Sequence, residues 1–441
     1  MDNPTIIGLS MFLLMLLLMA WRIPISVAMF MPGALAYAIF SDTSTLLNLL
    51  KGSAVARLTV YDLSVIPLFL LMGQFATQGG LSRDLFKAAS AFLGHVRGGL
   101  AMASVLSAAA FGAVCGSSVA TTATITQVAY PEMKRFGYDG QLSTGTLAAG
   151  GTLGILIPPS VPLVIYAILT ELSIGKLFAA AMVPGLLAAG GYLIVIAILT
   201  WLNPKLALPS NRENWSNRFV HLMKIWPILA IFIIVFGGIY GGYFSPTEGA
   251  GVGALCTFIT ATFNRELNLT KVQRAFIETA ETSAMVFMIF LGADMFNAAL
   301  ALTGMPALVA QWVVGLHISP VLILLAVLVM YILLGCVMDE MSMLLLTIPV
   351  IFPAIMGLNL WDLPQEMKAI WFGILVLVTV SIGMIAPPIG MNVYVVSNLT
   401  KDVPIAETYK GILPFLMWDF VRLICLLLFP ALSLTLVKLM G

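Results

Sequence analysis

The chain alternates long apolar runs with short polar interruptions. Runs of about 18 or more uncharged apolar residues can cross a bilayer as helices. They cover 4–21, 24–41, 61–79, 178–202, 225–243, 246–263, 282–300 and 411–436. Two more, 145–168 and 369–397, each contain a proline pair: Pro158-Pro159 in GTLGILIPPSVP and Pro387-Pro388 in SIGMIAPPIGM. Adjacent prolines remove two backbone donors and cannot continue a helix. In hydrocarbon the carbonyls they free need other partners. The pattern predicts two helices broken around an enclosed cavity, the usual sign of a transporter's binding site.

Two other stretches read as re-entrant hairpins. Residues 98–133 are small and apolar with a polar break at Gly116-Ser117-Ser118, and 305–356 have their tip near Gly335 to Glu340. The segment 43–58, with Lys51 and Arg57, reads as an interfacial amphipathic helix. SRDLFKAASAFLGHVRGG reads as a charged loop, and NRELNLTKVQRAFIETAE as a second amphipathic piece. NPKLALPSNRENWSNRFVHLMK is the longest polar segment and is taken as the linker between halves.

The order of elements repeats. Gly73 and Gly292 are 219 apart, as are Gly116 and Gly335. The proline pairs are 229 apart, and Thr170–Thr400 and Pro184–Pro414 are 230 apart. Each half has five full crossings plus a hairpin, so the halves should be inverted. The expected organisation is a first repeat over 1–202, a cytoplasmic linker over 203–224 and a second repeat over 225–441. With the Arg22 turn in the cytoplasm, 15 of the 21 Lys and Arg fall inside and 5 outside, as the positive-inside rule asks. Both termini are then periplasmic. The fold class is an all-α polytopic membrane protein of about ten transmembrane helices plus two re-entrant hairpins in two inverted repeats.

Composition agrees. The 441 residues are 60% hydrophobic and 9% charged, too few charges to cover a water-soluble surface. A net charge of +1 gives no basic field for nucleic acid. His95, His221 and His317 have no metal spacing, and Cys115, Cys256, Cys336 and Cys425 form no CxxC pair. The N-terminus lacks a basic region before its apolar run, so it reads as a first transmembrane helix and not a signal peptide.

The chemistry concentrates at the tips and breaks. Ser117, Ser118, Thr121, Thr122 and Thr124 offer hydroxyls that, with freed carbonyls, suit an alkali cation such as Na+. Half-helix N-termini there offer N–H groups to an anion. Small hydroxyl residues also simply let helices pack closely. Gly151, Thr152, Gly154, Pro158, Pro159 and Ser160 form one wall; Gly383, Pro387, Pro388, Gly390 and Asn392 form the other. A charged Asp costs about 2.5–3.5 kcal/mol at a helix centre, so Asp339 reads either as part of a cation or substrate site or as a helix cap. Na+ is expected near Ser117, Ser118, Gly335 and Asp339. Asp294 is a weaker intramembrane acid, and Thr247-Glu248 in FSPTEGAG reads as a capped helix start or a transport residue. Arg422 is the one basic residue inside a span. No HExxH, GxSxG or Walker A motif is present, so no enzymatic activity or organic cofactor is expected and transport would draw on an ion gradient.

GSSVATTATI, GYDGQLSTGTLAAGGTLGILIPPSVPLVIYAI and PGLL, with FSPTEGAGVGA and IGMIAPPIGMNVYVVS in the second half, resemble the large membrane subunit of TRAP transporters, the tripartite ATP-independent periplasmic family. The likeness spans essentially the whole chain. It implies an elevator-type fold of the ion-transporter superfamily, with hairpins and broken helices moving against a scaffold. It implies Na+-coupled uptake of an organic anion (a C4-dicarboxylate, keto acid or sugar acid) delivered by a periplasmic substrate-binding protein across a bacterial inner membrane. A small four-helix membrane subunit is expected as a separate chain. The alternatives are a stand-alone Na+/dicarboxylate symporter of the same superfamily and a membrane-embedded enzyme or structural subunit.

Overall fold

The computed structural model describes every residue except 1, 2, 22, 211, 306, 309–317 and 441; the side chains at 3, 53, 54, 57 and 58 are also left undescribed. The Arg22 turn, the Arg57 side chain, His317, the two extreme ends and part of the run entering the second predicted hairpin lie outside the described residues. Among the described residues every regular element is a helix. Six are long and apolar enough to cross a membrane: Gly140–Thr170 counted through its break, Ile174–Leu202, Trp215–Tyr240, Leu269–Leu302, Gln365–Gly383 and Ile405–Leu428. Shorter apolar helices include Pro4–Ala20 and Ile25–Phe40. This is the architecture of a polytopic membrane protein.

The two interrupted helices form the centre. In both Gly140–Thr170 and Gln365–Gly383, 89% of the most apolar stretch is buried, against 22% in Trp215–Tyr240. Large apolar side chains on the latter, such as Leu229 and Ile233, point outward. Between apolar helices in lipid, close packing replaces the hydrophobic effect as the main attraction. The inner helices are accordingly rich in Gly, Ala, Ser and Thr, as in GQLSTGTLAAGG.

Both hairpins form. In the first, Gly99–Cys115 and Ser118–Arg135 turn at Gly116, whose φ of 67° places it in the left-handed region that glycine adopts without cost. Its open end is closed by the Tyr138 hydroxyl, which accepts from Leu100 N–H at 3.1 Å. In the second, Pro320–Gly335 and Glu340–Met356 are joined across their arms by Thr347 Oγ1 donating to Tyr331 Oη at 2.8 Å.

Four boundaries differ from the sequence reading. The predicted charged loop after 81 is a helix, Leu81–Leu93, because Leu81, Leu85, Phe86, Ala88 and Ala91 line one buried face and leave Arg83 and Lys87 on the other. The linker is shorter than predicted: Trp215–Tyr240 begins inside it, with Arg218 buried between the Phe92 and Trp215 rings. The amphipathic piece and the span after it are one 34-residue helix, Leu269–Leu302, capped by Asn268 accepting from Lys271 N–H; no Gly or Pro separates them. The last span ends at Leu428, and Ala431–Leu439 is a separate helix, because Pro430 cannot continue the ladder. At Pro246–Phe263 the capping alternative holds. Ser245 Oγ accepts from Glu248 N–H at 3.2 Å, and Glu248 Oε2 accepts from Ser245 N–H at 2.7 Å.

A surface contact joins the first hairpin to the loop after the second break. Asp402 Oδ2 accepts from Tyr130 Oη at 2.6 Å and pairs with Lys134 Nζ at 2.9 Å. The Tyr130 hydrogen bond, then that from Lys134, holds the Asp402 carboxyl below its ordinary value. Its contribution is therefore fully present above the ordinary carboxylate range near about 4 and is lost as pH falls through the lowered folded value. Lys134 and Asp402 are about half exposed, so the expected effect is small. Asp402→Asn should cost no more than about 1 kcal/mol at pH 7 and nothing at a pH below the lowered value, read as the pH dependence of the melting temperature. A loss that persists at that acid end would assign Asp402 a role other than this pair.

Candidate functional site

The first hairpin's tip rests on the first break. Helix Gly140–Gly151 ends, a short turn Leu153–Leu156 follows, Ile157 is extended, and Pro158-Pro159 is a cis peptide. Ser160 opens Val161–Thr170 and donates its hydroxyl to Ile155 O at 2.7 Å. A Cβ on Gly154 would lie 2.6 Å from Thr121 Oγ1 and 2.7 Å from Ser117 O; one on Gly116 would lie 3.1 Å from Pro159 O. The predicted residues Gly116, Ser117, Thr121, Pro158 and Pro159 are thus brought together. Ser117 also caps Ser118–Arg135. Thr152 turns the other way: its Oγ1 donates to Ala149 O at 2.7 Å and meets Tyr192 Oη at 3.2 Å.

The second hairpin's tip rests on the second break in the same manner. A Cβ on Gly383 would lie 2.7 Å from Gly335 Cα. Gly390 N–H donates to Cys336 O at 3.2 Å, and Cys336 Sγ contacts Pro387 O at 3.4 Å. Pro387-Pro388 is also cis. Tyr409 Oη donates to Pro388 O at 2.9 Å and reaches Ile389 O. Gly335, Gly383, Pro387 and Pro388 therefore form a second cluster.

Asn392 joins the clusters. It opens Met391–Leu399 after the second break, and its Nδ2 donates to Ser118 Oγ at 2.8 Å and to Ala148 O at 3.3 Å. Glu340 adds a second link, since the Ser118 backbone N–H approaches its carboxylate. Of the two adjacent acids, Asp339 is half-buried and caps Glu340–Met356, accepting from Ser342 N–H at 3.0 Å. Glu340 is 3% exposed. The sequence reading chose Asp339; the residue with its carboxylate in the interior is Glu340.

Oxygen dominates what remains available. Thr121 Oγ1, Asn392 Oδ1 and Glu340 Oε2 are buried without a hydrogen-bond partner among the described residues. Buried polar atoms are normally paired. These three side chains flank Ser118 and the ends of the two interrupted helices. A hard cation takes such a set of oxygen donors.

Two residues that the sequence reading did not select complete the centre. Tyr192 donates to Asp419 Oδ2 at 2.7 Å, and Asp419 Oδ1 pairs with Arg422 Nη2 at 2.9 Å, with side chains 0% and 1% exposed. Arg422 is therefore tied to a neighbouring acid on its own helix. The Asp–Arg spacing of three in an apolar span was the available signal.

The sequence matches, over residues 12–432, the family described as "Tripartite ATP-independent periplasmic transporter, DctM component". It is 37% identical over 411 residues to the C4-dicarboxylate TRAP transporter large permease protein DctM of Pseudomonas aeruginosa, covering 93% of each chain. The protein of the same description from Rhodobacter capsulatus is 32% identical over 98% of this chain and 99% of its own. In fold the chain is similar to the crystal structure of the Alcanivorax borkumensis YdaH transporter, with a TM-score of 0.63, 17% identity and coverage of 89% and 90%. The paired hairpins and breaks and the sequence match along nearly the whole length agree: this chain belongs to the DctM family, the large permease proteins of tripartite ATP-independent periplasmic transporters.

Proposed function

We propose that this chain carries out Na+-coupled uptake of a small organic anion across a bacterial inner membrane. The anion is handed over by a periplasmic binding protein, and a small four-helix membrane subunit completes the complex as a separate chain. The observation that carries the reading is the set of buried, unpartnered oxygens on Thr121, Asn392 and Glu340 around Ser118. In this reading Na+ takes its ligands from those atoms and from carbonyls freed at the breaks, with Gly116, Ser117, Gly335 and Asp339 forming the tip walls. The N-termini of the half-helices after each break and tip offer N–H groups to the carboxylates of the anion. Both relatives described above carry C4-dicarboxylate in their names, so a C4-dicarboxylate is the first substrate to test. The two halves act as inverted repeats, and the hairpins with the broken helices move as one body against the remaining helices in an elevator cycle.

The test is uptake of labelled C4-dicarboxylates, keto acids and sugar acids into liposomes containing this chain and the small subunit, with the binding protein outside. An inward Na+ gradient should raise uptake at least tenfold for one of these acids, and omitting the binding protein should abolish it. Uptake indifferent to Na+ would overturn the coupling. Uptake that survives without the binding protein would favour a stand-alone Na+/dicarboxylate symporter.

A further inference from the structure

We infer that Tyr192 is a positioning residue for the first break, held in place by the buried Asp419–Arg422 pair. The inference rests on the reading of the breaks as the ion site. Three elements converge here: Tyr192 on Ile174–Leu202, Asp419 and Arg422 on Ile405–Leu428, and Thr152 at the break. The contacts run Arg422 Nη2–Asp419 Oδ1 at 2.9 Å, Tyr192 Oη to Asp419 Oδ2 at 2.7 Å, Tyr192 Oη–Thr152 Oγ1 at 3.2 Å and Thr152 Oγ1 to Ala149 O at 2.7 Å.

Energetics argue against a purely stabilising role. Desolvating each ion of a buried pair costs several kcal/mol, and well-packed apolar replacements are often neutral or stabilising. Nε, Nη1 and Nη2 of Arg422 lack hydrogen-bond geometry to any partner, so the pair is not a fully satisfied one. What it does secure is the direction of one proton. Tyr192 has a single hydroxyl hydrogen, and an ionised carboxylate only accepts. That hydrogen goes to Asp419, and the Tyr192 oxygen faces Thr152 as an acceptor. The Thr152 hydrogen is then shared between Tyr192 and Ala149 O. Ala149 O, in the last turn of Gly140–Gly151, accepts from both the N–H of Thr152, at 3.1 Å, and its hydroxyl, and its neighbour Ala148 O accepts from Asn392. Tyr192 therefore sets how firmly Thr152 occupies a carbonyl at the edge of the ion site.

The brace serves one break only. Tyr192 and Arg422 are 230 positions apart, the same offset as Thr170–Thr400 and Pro184–Pro414. Equivalent positions of the two halves thus meet in one network, which serves the first break. At the second break the freed Pro388 and Ile389 carbonyls accept from Tyr409 instead. The two breaks are braced by different chemistry.

Tyr192→Phe removes one oxygen and little else. In the reconstituted complex it should raise the Na+ concentration for half-maximal uptake three- to tenfold, with the substrate KM and the melting temperature close to wild type. In the purified chain, hydrogen–deuterium exchange over 149–157 should rise at least threefold while 383–390 stay unchanged. Tyr409→Phe should do the reverse in exchange. A double variant, Asp419→Leu with Arg422→Met, keeps the site apolar and filled and should reproduce the Tyr192→Phe pattern without loss of folding. Unchanged exchange over 149–157 in Tyr192→Phe overturns the inference, whatever uptake shows. So does a rise in both segments together with a lower melting temperature, which would make Tyr192 a general packing residue. Wild-type uptake indifferent to Na+ would instead strike the coupling reading, and the exchange result would still judge the brace.

Discussion

Glu340→Gln is expected to lower Na+-driven uptake ten- to a hundredfold while raising the thermal stability of the purified protein in Na+-free buffer. The two effects have one origin. The Glu340 side chain is 3% exposed, and its Oε2 has no hydrogen-bond partner. A buried ion without a matched partner costs several kcal/mol. Its place in the first turn of Glu340–Met356 returns about 0.3–1 kcal/mol from the helix dipole, which does not offset that cost. In the proposed reading the Na+ that Glu340 helps to hold offsets that cost. Gln keeps the shape and removes the charge, so the folded state should gain about 1 kcal/mol or more. Loss of one cation ligand by ten- to a hundredfold corresponds to about 1.4–2.8 kcal/mol. Adding NaCl should raise the wild-type melting temperature more than that of the variant, because a ligand bound only to the folded state stabilises it. Asp339→Asn is the companion: Asn caps as well as Asp, so uptake near wild type would leave Asp339 with its cap alone. Wild-type uptake in Glu340→Gln, with the same melting response to Na+, would remove Glu340 from the site.

The breaks and hairpin tips were legible because proline pairs and a Gly-Ser-Ser step contradict the apolar runs around them. Asn392 was legible as a polar residue just past a break, but its partner, Ser118 on the other half, was not, since nothing local encodes a contact between residues 274 positions apart. The choice between Asp339 and Glu340 was beyond the sequence for a different reason. Adjacent residues at a helix start point about 100° apart, and which one caps depends on backbone angles that the residue types share. Tyr192 gave no signal, since an aromatic residue in an apolar span looks like packing. Asp419 was missed although an acid three residues before Arg422 in hydrocarbon is itself a signal. The merged helix Leu269–Leu302 shows the limit of hydropathy. Charge alone ended the predicted span, but a charged face does not end a helix.

Gly154→Val and Gly383→Val are expected to abolish uptake and to destabilise the protein, each by seating a hairpin wrongly on its break. At Gly383 an added Cβ meets Gly335 Cα and Ile332 O, both at 2.7 Å; at Gly154 it meets Thr121 Oγ1 at 2.6 Å and Ser117 O at 2.7 Å. Gly112 repeats the pattern, its Cβ falling 2.6 Å from Gly154 Cα. Gly112 thus packs on Gly154 as closely as Gly335 packs on Gly383. The obstructing atoms at these contacts are largely backbone, which cannot swing aside as a flexible side chain does. Overpacking of this kind costs about 1–3 kcal/mol for an added methyl or methylene, and Val adds a branched pair on top of it. The cost falls where tip and break must keep their oxygens in register, so uptake should fail in protein that still inserts and elutes as a folded species. Gly150→Ala is the control, from the helix that leads into the first break. Its nearest neighbour would be Ala108 Cβ at 3.5 Å, an ordinary contact, and Ala gains about 0.5–1 kcal/mol over Gly inside a helix. That variant should melt at or above wild type with uptake intact. Uptake retained in Gly383→Val, or lost equally in Gly150→Ala, would show that tip and break need no such close fit.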